Sequence, residues 1–165
     1  KMNSLFSKKT KELRNIEIKK ILILKNSFWK FGIKSQKKWF KENVKKRDVH
    51  NFLFLNSKLI GYTLLRLRKI KNLKNFYFLL DTMIIKKELR KKRYGKLLMK
   101  FNNDIISKNK KIGFLVCKKK EIEFYKKFNW KNLSKRKYKL SNMNSIQYGM
   151  VFNEKSKKKF YDFSQ

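Results

Sequence analysis

Between residues 11 and 46 apolar residues recur at helical spacing. Leu13, Ile16, Ile21, Leu24 and Trp29 form one stretch, Trp39, Phe40 and Val44 a second, and the pattern breaks near Phe31-Gly32. This predicts two helices. Two strand-like runs follow, Phe52-Leu53-Phe54-Leu55 and Ile60-Gly61-Tyr62-Thr63-Leu64-Leu65, joined by Asn56-Ser57-Lys58, whose length and residue types suit a hairpin. Beyond the polar stretch 69–75, the run from Phe76 to Ile85 is rich in aromatic and branched residues and flanked by lysines, as a central strand would be. From Tyr94 to about Asn109 the period becomes helical, with Leu97, Leu98, Phe101 and Ile105 on one stripe. Ile112 to Cys117 reads as a strand and Glu121 to Phe128 as a short helix. Lys137 to Leu140 and Tyr148 to Phe152 read as late strands, and the polar tail from Glu154 is expected to fray.

Helices, an antiparallel meander, then strand, helix, strand, helix and strand describe an α/β fold whose sheet has mixed strand directions. A ligand site belongs where such strands part. The 165 residues suit one domain, taken as residues 1–153 with a polar tail at 154–165; no internal repeat and no Pro- or Gly-rich linker marks a second. The 41% hydrophobic content is enough for a packed core in spite of 35% charged residues.

A net charge of +36 attracts polyanions and leaves room for non-specific nucleic-acid contact. The excess is carried by lysine spread along the whole chain, whereas Arg occupies only positions 14, 47, 66, 68, 90, 93 and 136, and Ala and Pro are absent. Lys, Asn, Ile, Phe and Tyr share AT-rich codons, so much of the charge is accounted for by coding bias, and global charge says little about function. The single cysteine, Cys117, lies in an apolar strand and excludes a disulfide within the chain and a cysteine metal cluster; the single histidine, His50, sits beside another strand. No metal site is expected. No apolar run approaches the roughly 18 to 20 residues of a membrane span, so the expected location is cytoplasmic, with no membrane partner.

Local charge is more informative. Of the seven residues from Arg90 to Lys96 five are cationic (Arg90, Lys91, Lys92, Arg93 and Lys96), at the start of a predicted helix. The first turn of a helix carries partial positive charge and unpaired N–H groups, and ordinarily favours acids. An external anion such as phosphate resolves the mismatch, because backbone donors, dipole and side-chain cations converge on it. Gly95 lets the main chain approach closely.

The segment from Ile85 to Leu98 resembles the acetyl-CoA motif of the GNAT superfamily of N-acetyltransferases, an Arg/Gln-x-x-Gly-x-Gly/Ala signature between a strand and a helix. Arg90 and Gly95 match its first and last fixed positions; Arg93 stands at the middle glycine. Downstream, residues 121–130 are similar to the family's Phe-Tyr-x-x-x-Gly-Phe segment, with Phe124-Tyr125 matching, Asn129 in place of the glycine and Trp130 in place of the phenylalanine. Lys118 and Glu121 stand where the family has asparagine and alanine. The resemblance covers roughly Phe52 to Trp130. It implies a GNAT-like, mostly antiparallel sheet of about six to seven strands flanked by about four helices. It also implies acetyl-CoA as co-substrate and direct transfer of its acetyl group to a primary amine in a ternary complex, the acceptor being a small molecule or a peptide N-terminus.

Carried over residue by residue, the resemblance implies that Met83, Ile84 and Ile85 lie along the thioester arm. It further implies that Arg90, Lys91, Lys92, Arg93, Tyr94, Gly95 and Lys96 hold the pyrophosphate and that Tyr125 is the acid for the leaving thiolate. Asp81 is the only carboxylate inside an apolar strand, and strict alternation would put it on the face of Met83 and Ile85, as base or amine anchor. Polycationic acceptors such as aminoglycosides suit a +36 protein poorly. A basic nucleic-acid-binding protein and a catalytically inactive acetyl-CoA-binding protein are the alternatives; monomer and homodimer both stay open.

Overall fold

The structure is a computed structural model and describes residues 2–156 and 159–165. In chain order its elements are β1 (Asn3–Lys9), α1 (Asn15–Phe28), α2 (Ile33–Asn43), β2 (Val49–Leu55), β3 (Lys58–Lys69), β4 (Phe76–Ile85), α3 (Tyr94–Lys108), β5 (Ile112–Cys117), α4 (Ile122–Lys126), β6 (Lys131–Leu133), β7 (Tyr138–Lys139), β8 (Tyr148–Phe152) and β9 (Tyr161–Asp162). Seven strands are hydrogen-bonded in the order β1-β2-β3-β4-β5-β8-β6. Antiparallel ladders join β1 to β2, β2 to β3, β5 to β8 and β6 to β8, while β4 runs parallel to β5. This is the mixed, mostly antiparallel sheet with four helices that the order of elements predicts.

The chain forms two compact units, each discontinuous in sequence; the first comprises residues up to Arg66 together with Asp81–Asn102, the second Leu67–Leu80 with Asn103–Gln165. In the first, Asn56 and Ser57 take φ of 47° and 63°. Two successive left-handed residues make the tight hairpin whose twist matches the strands, and Asn is among the side chains that tolerate it best. The two faces then pack on different helices, with the β2–β3 register shifting between Leu53 and Phe54. Phe52, Tyr62, Leu64 and Ile84 meet Ile21, Leu22 and Leu24 of α1 and Phe40 of α2; Leu53, Ile60 and Ile85 meet Tyr94 and Leu98 of α3. Fully burying a side chain of this size contributes about 1.5 to 3 kcal/mol, so these contacts fix the helices on the sheet. Gly61 brings α3 close, since a Cβ there would lie 2.8 Å from Ile85 Cδ1 and 3.2 Å from Leu98 Cδ2. The break between α1 and α2 falls at Gly32, with φ of 88° and its N–H donating to Asn26 Oδ1 at 2.8 Å.

Strand β1, which the apolar pattern does not reveal, is created by its partner: Asn3 to Lys9 pair with Leu55 to Val49 along the whole of β2.

The second unit packs Tyr77, Phe114, Leu133, Tyr138, Val151, Tyr161 and Phe163 into one cluster. Its composition corrects the expectation of a fraying tail. Tyr161–Asp162 forms β9 and pairs in parallel with β7, Phe163 is completely buried, and its ring stacks on Phe114 at 4.2 Å. Two aromatic residues in a polar segment supply enough apolar area to dock the terminus. The Gly149 position is equally tight: a Cβ would come within 2.6 Å of Tyr138 Cζ, and that ring is held against Phe114 at 5.1 Å. Because an aromatic ring cannot yield as a flexible chain end does, Gly149→Ala is expected to destabilise the fold by about 1 to 3 kcal/mol, seen as a lower denaturant midpoint; an unchanged midpoint would show that the ring moves freely.

Candidate active site

The loop from β4 to α3 is built by short-range bonds. A 3-10 turn covers Lys87–Leu89; the Leu89 N–H donates to the Lys86 carbonyl at 2.9 Å and the Lys86 N–H to the Ile60 carbonyl at 2.8 Å. Arg90 folds inward, its Nε donating to the Ile85 carbonyl at 3.0 Å while its guanidinium lies 4.8 Å from the Phe28 ring centroid. Lys91 takes φ of 58°, turning the chain into the helix, and buried Tyr94 pins the first turn of α3 to Leu53, Ile60, Ile85 and Leu98. The first helical bond runs from the Leu97 N–H to the Arg93 carbonyl at 3.0 Å. Ahead of it, the N–H groups of Lys91 to Lys96 have no hydrogen-bond acceptor among the described residues, and the first turn holds no acid. Lys91, Lys92, Arg93 and Lys96 are exposed around these donors. Donors, dipole and cations together form an anion cradle, suited to a pyrophosphate.

Strand β4 departs from the expected alternation. Met83 and Ile85 pack with Tyr94 and Leu98, but Ile84 packs with Ile21 and Tyr62, and Asp81 is on that same side, bonded to Arg66 and lining a cavity with Lys25 and Trp39. Asp81 therefore does not share a face with Met83 and Ile85. Asp81 and Thr82, successive residues of β4, both line this cavity, so simple alternation does not describe the strand here. The Arg66 Nη1 donates to Asp81 Oδ2 at 2.9 Å, and the other Asp81 oxygen has no hydrogen-bond donor among the described residues.

Lys25, Trp29, Trp39 and Arg66 surround this carboxylate, and the sequence reading missed them. Lys25 is four residues from Ile21, on the same stripe of α1, and is only 4% exposed. Its Nζ lies 3.6 Å from the Trp39 ring centroid. Burial brings its ammonium down to about 8, against the opposing pull of Asp81. The sequence signal was a lysine at a core-facing helical position.

Tyr125 belongs to the second unit. It lies on α4, with its ring 6.3 Å from Trp130, and its carbonyl accepts the N–H groups of Phe128 at 3.0 Å and Trp130 at 3.3 Å. Burial, with Glu121 and Cys117 adding to it, raises its hydroxyl well above the ordinary tyrosine value, so it keeps its proton across the physiological range. Asn129, at the position of the motif's glycine, adopts φ of 64°, a left-handed conformation that Asn enters more readily than other side chains. Trp130, at the phenylalanine position, is 1% exposed and donates from Nε1 to Asn103 Oδ1 at 3.0 Å. Both departures thus preserve the local backbone and packing.

Cys117 and His50 have structural surroundings. Burial pushes the Cys117 thiol up to about 11, away from the nucleophilic thiolate. The His50 ring nitrogens are engaged by Thr10 Oγ1 at 2.8 Å and Tyr62 OH at 2.6 Å, and burial lowers its pKa to about 4. Among the described residues no group of His, Cys, Asp and Glu could hold a metal ion, and no helix is long and apolar enough to cross a membrane.

No family model and no curated protein sequence matches the chain. Solved structures do match in fold. An acyl-CoA N-acyltransferase from Pseudomonas aeruginosa superposes with a TM-score of 0.69 at 12% identity, over 91% of this chain and 99% of that one. The PaiA N-acetyltransferase from Thermoplasma acidophilum, solved in complex with coenzyme A, gives a TM-score of 0.60 at 17% identity, over 90% and 98%. An acetyltransferase of the GNAT family from Streptococcus pneumoniae gives 0.62 at 13% identity, over 90% and 99%. With TM-scores of 0.60 to 0.69 over nine-tenths of its length, this chain has the fold of the GNAT acetyltransferases.

Proposed function

We propose that the protein is an N-acetyltransferase that moves the acetyl group of acetyl-CoA to a primary amine by direct attack in a ternary complex. The observation that carries this reading is the cradle of unpaired N–H groups and cations from Lys91 to Lys96, on a fold for which a neighbour was solved with coenzyme A. Acetyl-CoA, when bound, supplies a thioester carbonyl open to an amine and a thiolate as leaving group.

The chain's own groups divide the work. The loop N–H groups, with Arg90, Lys91, Lys92, Arg93 and Lys96 around them, hold the phosphates. Main-chain donors of Met83 to Ile85 in β4 stabilise negative charge on the carbonyl oxygen. Tyr125 holds a proton at its hydroxyl for the leaving sulfur. Asp81 anchors the acceptor ammonium and takes up its proton. The acceptor's placement next to Asp81 and Thr82 puts it within two residues of Met83 along the same strand.

The test is calorimetric titration of the nuclease-treated protein with acetyl-CoA at two salt concentrations, against ATP as polyanion control. Saturable one-to-one binding that survives salt and prefers acetyl-CoA is expected. Weak binding that disappears with salt and matches ATP would reduce the loop to a basic patch and favour the nucleic-acid reading.

A further inference from the structure

The cavity beside Asp81, about 570 Å³, is walled by Trp29, Phe31 and Trp39, with Gln36, Lys25 and Asp81 among its polar lining. Its charges do not balance. Asp81 is already neutralised by Arg66 at 2.9 Å. Lys25, more than nine-tenths buried, makes no hydrogen bond and no ion pair with any described residue; its one close partner is the Trp39 ring. The Arg66 Nε is likewise buried without an acceptor. Gln36 donates from Nε2 to the Trp29 carbonyl at 2.8 Å, and its acceptor oxygen bonds neither cation. Two cations against one carboxylate leave a net positive charge beside an aromatic-walled cavity. Burying an unpaired charge and an unsatisfied donor is costly, and the cost is removed when a ligand brings anionic oxygen.

Resting on the transferase reading, we propose that this cavity takes its acceptor as a zwitterion: a primary amine that also carries a carboxylate, on an apolar or aromatic body, in the manner of an aromatic amino acid. Lys25 holds the carboxylate, the free oxygen of Asp81 holds the ammonium, and Trp29, Phe31 and Trp39 cover the body. Polyamines and other polycations are excluded by the same uncompensated charge.

Three ligands separate the parts: phenylalanine, phenethylamine, which lacks the carboxylate, and 3-phenylpropionate, which lacks the amine. Each is titrated calorimetrically into the full chain, with and without saturating coenzyme A. Phenylalanine is expected to bind at least tenfold tighter than phenethylamine. Lys25→Met should remove that preference by weakening phenylalanine alone, with Lys25→Gln as the second variant should the first misfold. Asp81→Asn should weaken both amines and spare 3-phenylpropionate. Raising the pH through about 8 should weaken 3-phenylpropionate, whose own charge is constant there, as Lys25, flanked by Asp81, Arg66 and the Trp39 ring, loses its proton; Lys25→Met should be insensitive. Equal or tighter binding of phenethylamine, a preference that survives both Lys25 variants, or no binding of any of the three would overturn the proposal. The titrations without coenzyme A report on the cavity alone. A failed acetyl-CoA titration alongside a retained phenylalanine preference would therefore sink the transferase reading and not the cavity.

Discussion

Tyr125→Phe should lower kcat for acetyl transfer about 100-fold, at the lower end of what a positioned general acid contributes, while the affinity for acetyl-CoA stays within twofold. The expectation rests on the state of the hydroxyl. Burial holds its pKa well above the ordinary value, so the proton is present at every physiological pH. No described residue accepts that proton in a hydrogen bond, which leaves it available for a ligand sulfur. The ring would remain in the Phe124 and Trp130 contacts after the substitution, at 5.2 and 6.3 Å, so the fold should be untouched. Single-turnover kinetics alongside calorimetry would separate chemistry from binding. Equal kcat in variant and parent would return Tyr125 to a packing role.

The second large effect is expected at Gly95. Glycine inside a helix costs about 1 kcal/mol relative to alanine, so its presence in the first turn of α3 is not explained by helix formation. Its N–H is among the unpaired donors of Lys91 to Lys96, and on the proposed reading a side chain there would stand between the main chain and a phosphate. Gly95→Trp should weaken acetyl-CoA at least 100-fold, about 2.7 kcal/mol, with an unchanged circular dichroism spectrum. Affinity for a single-stranded oligonucleotide, carried by exposed lysines, should change less than threefold. Loss of both affinities together, or of neither, would show that the loop does not cradle a pyrophosphate through its main chain.

Strong local patterns located the longer elements. The run Phe76 to Ile85 is β4 at both ends, Ile112 to Cys117 is β5, Tyr148 to Phe152 is β8, and the stripe beginning at Tyr94 is α3. In each case burial demands a period that composition can display. The short helix at residues 121–128 proved to be a 3-10 turn at Lys119–Glu121 followed by α4, and the strand at 137–140 shrank to β7, since element ends depend on partners more than on pattern. Strands β1, β6 and β9 escaped notice because they are short or polar and exist through ladders offered by β2, β8 and β7.

By itself the sequence determined the α/β order of elements and the basic turn at Arg90 to Lys96, and displayed Phe124-Tyr125 downstream of it. These are local facts of period, charge and residue type, and no distant segment alters them. Tertiary structure alone decided which way Asp81 faces, that Arg66 neutralises it, that Lys25 remains uncompensated beside Trp39, and that Tyr161 and Phe163 dock the terminus. Which helix a β4 side chain meets is decided by the packing of α1 and α2, because alternation read from sequence assumes a perfectly regular strand.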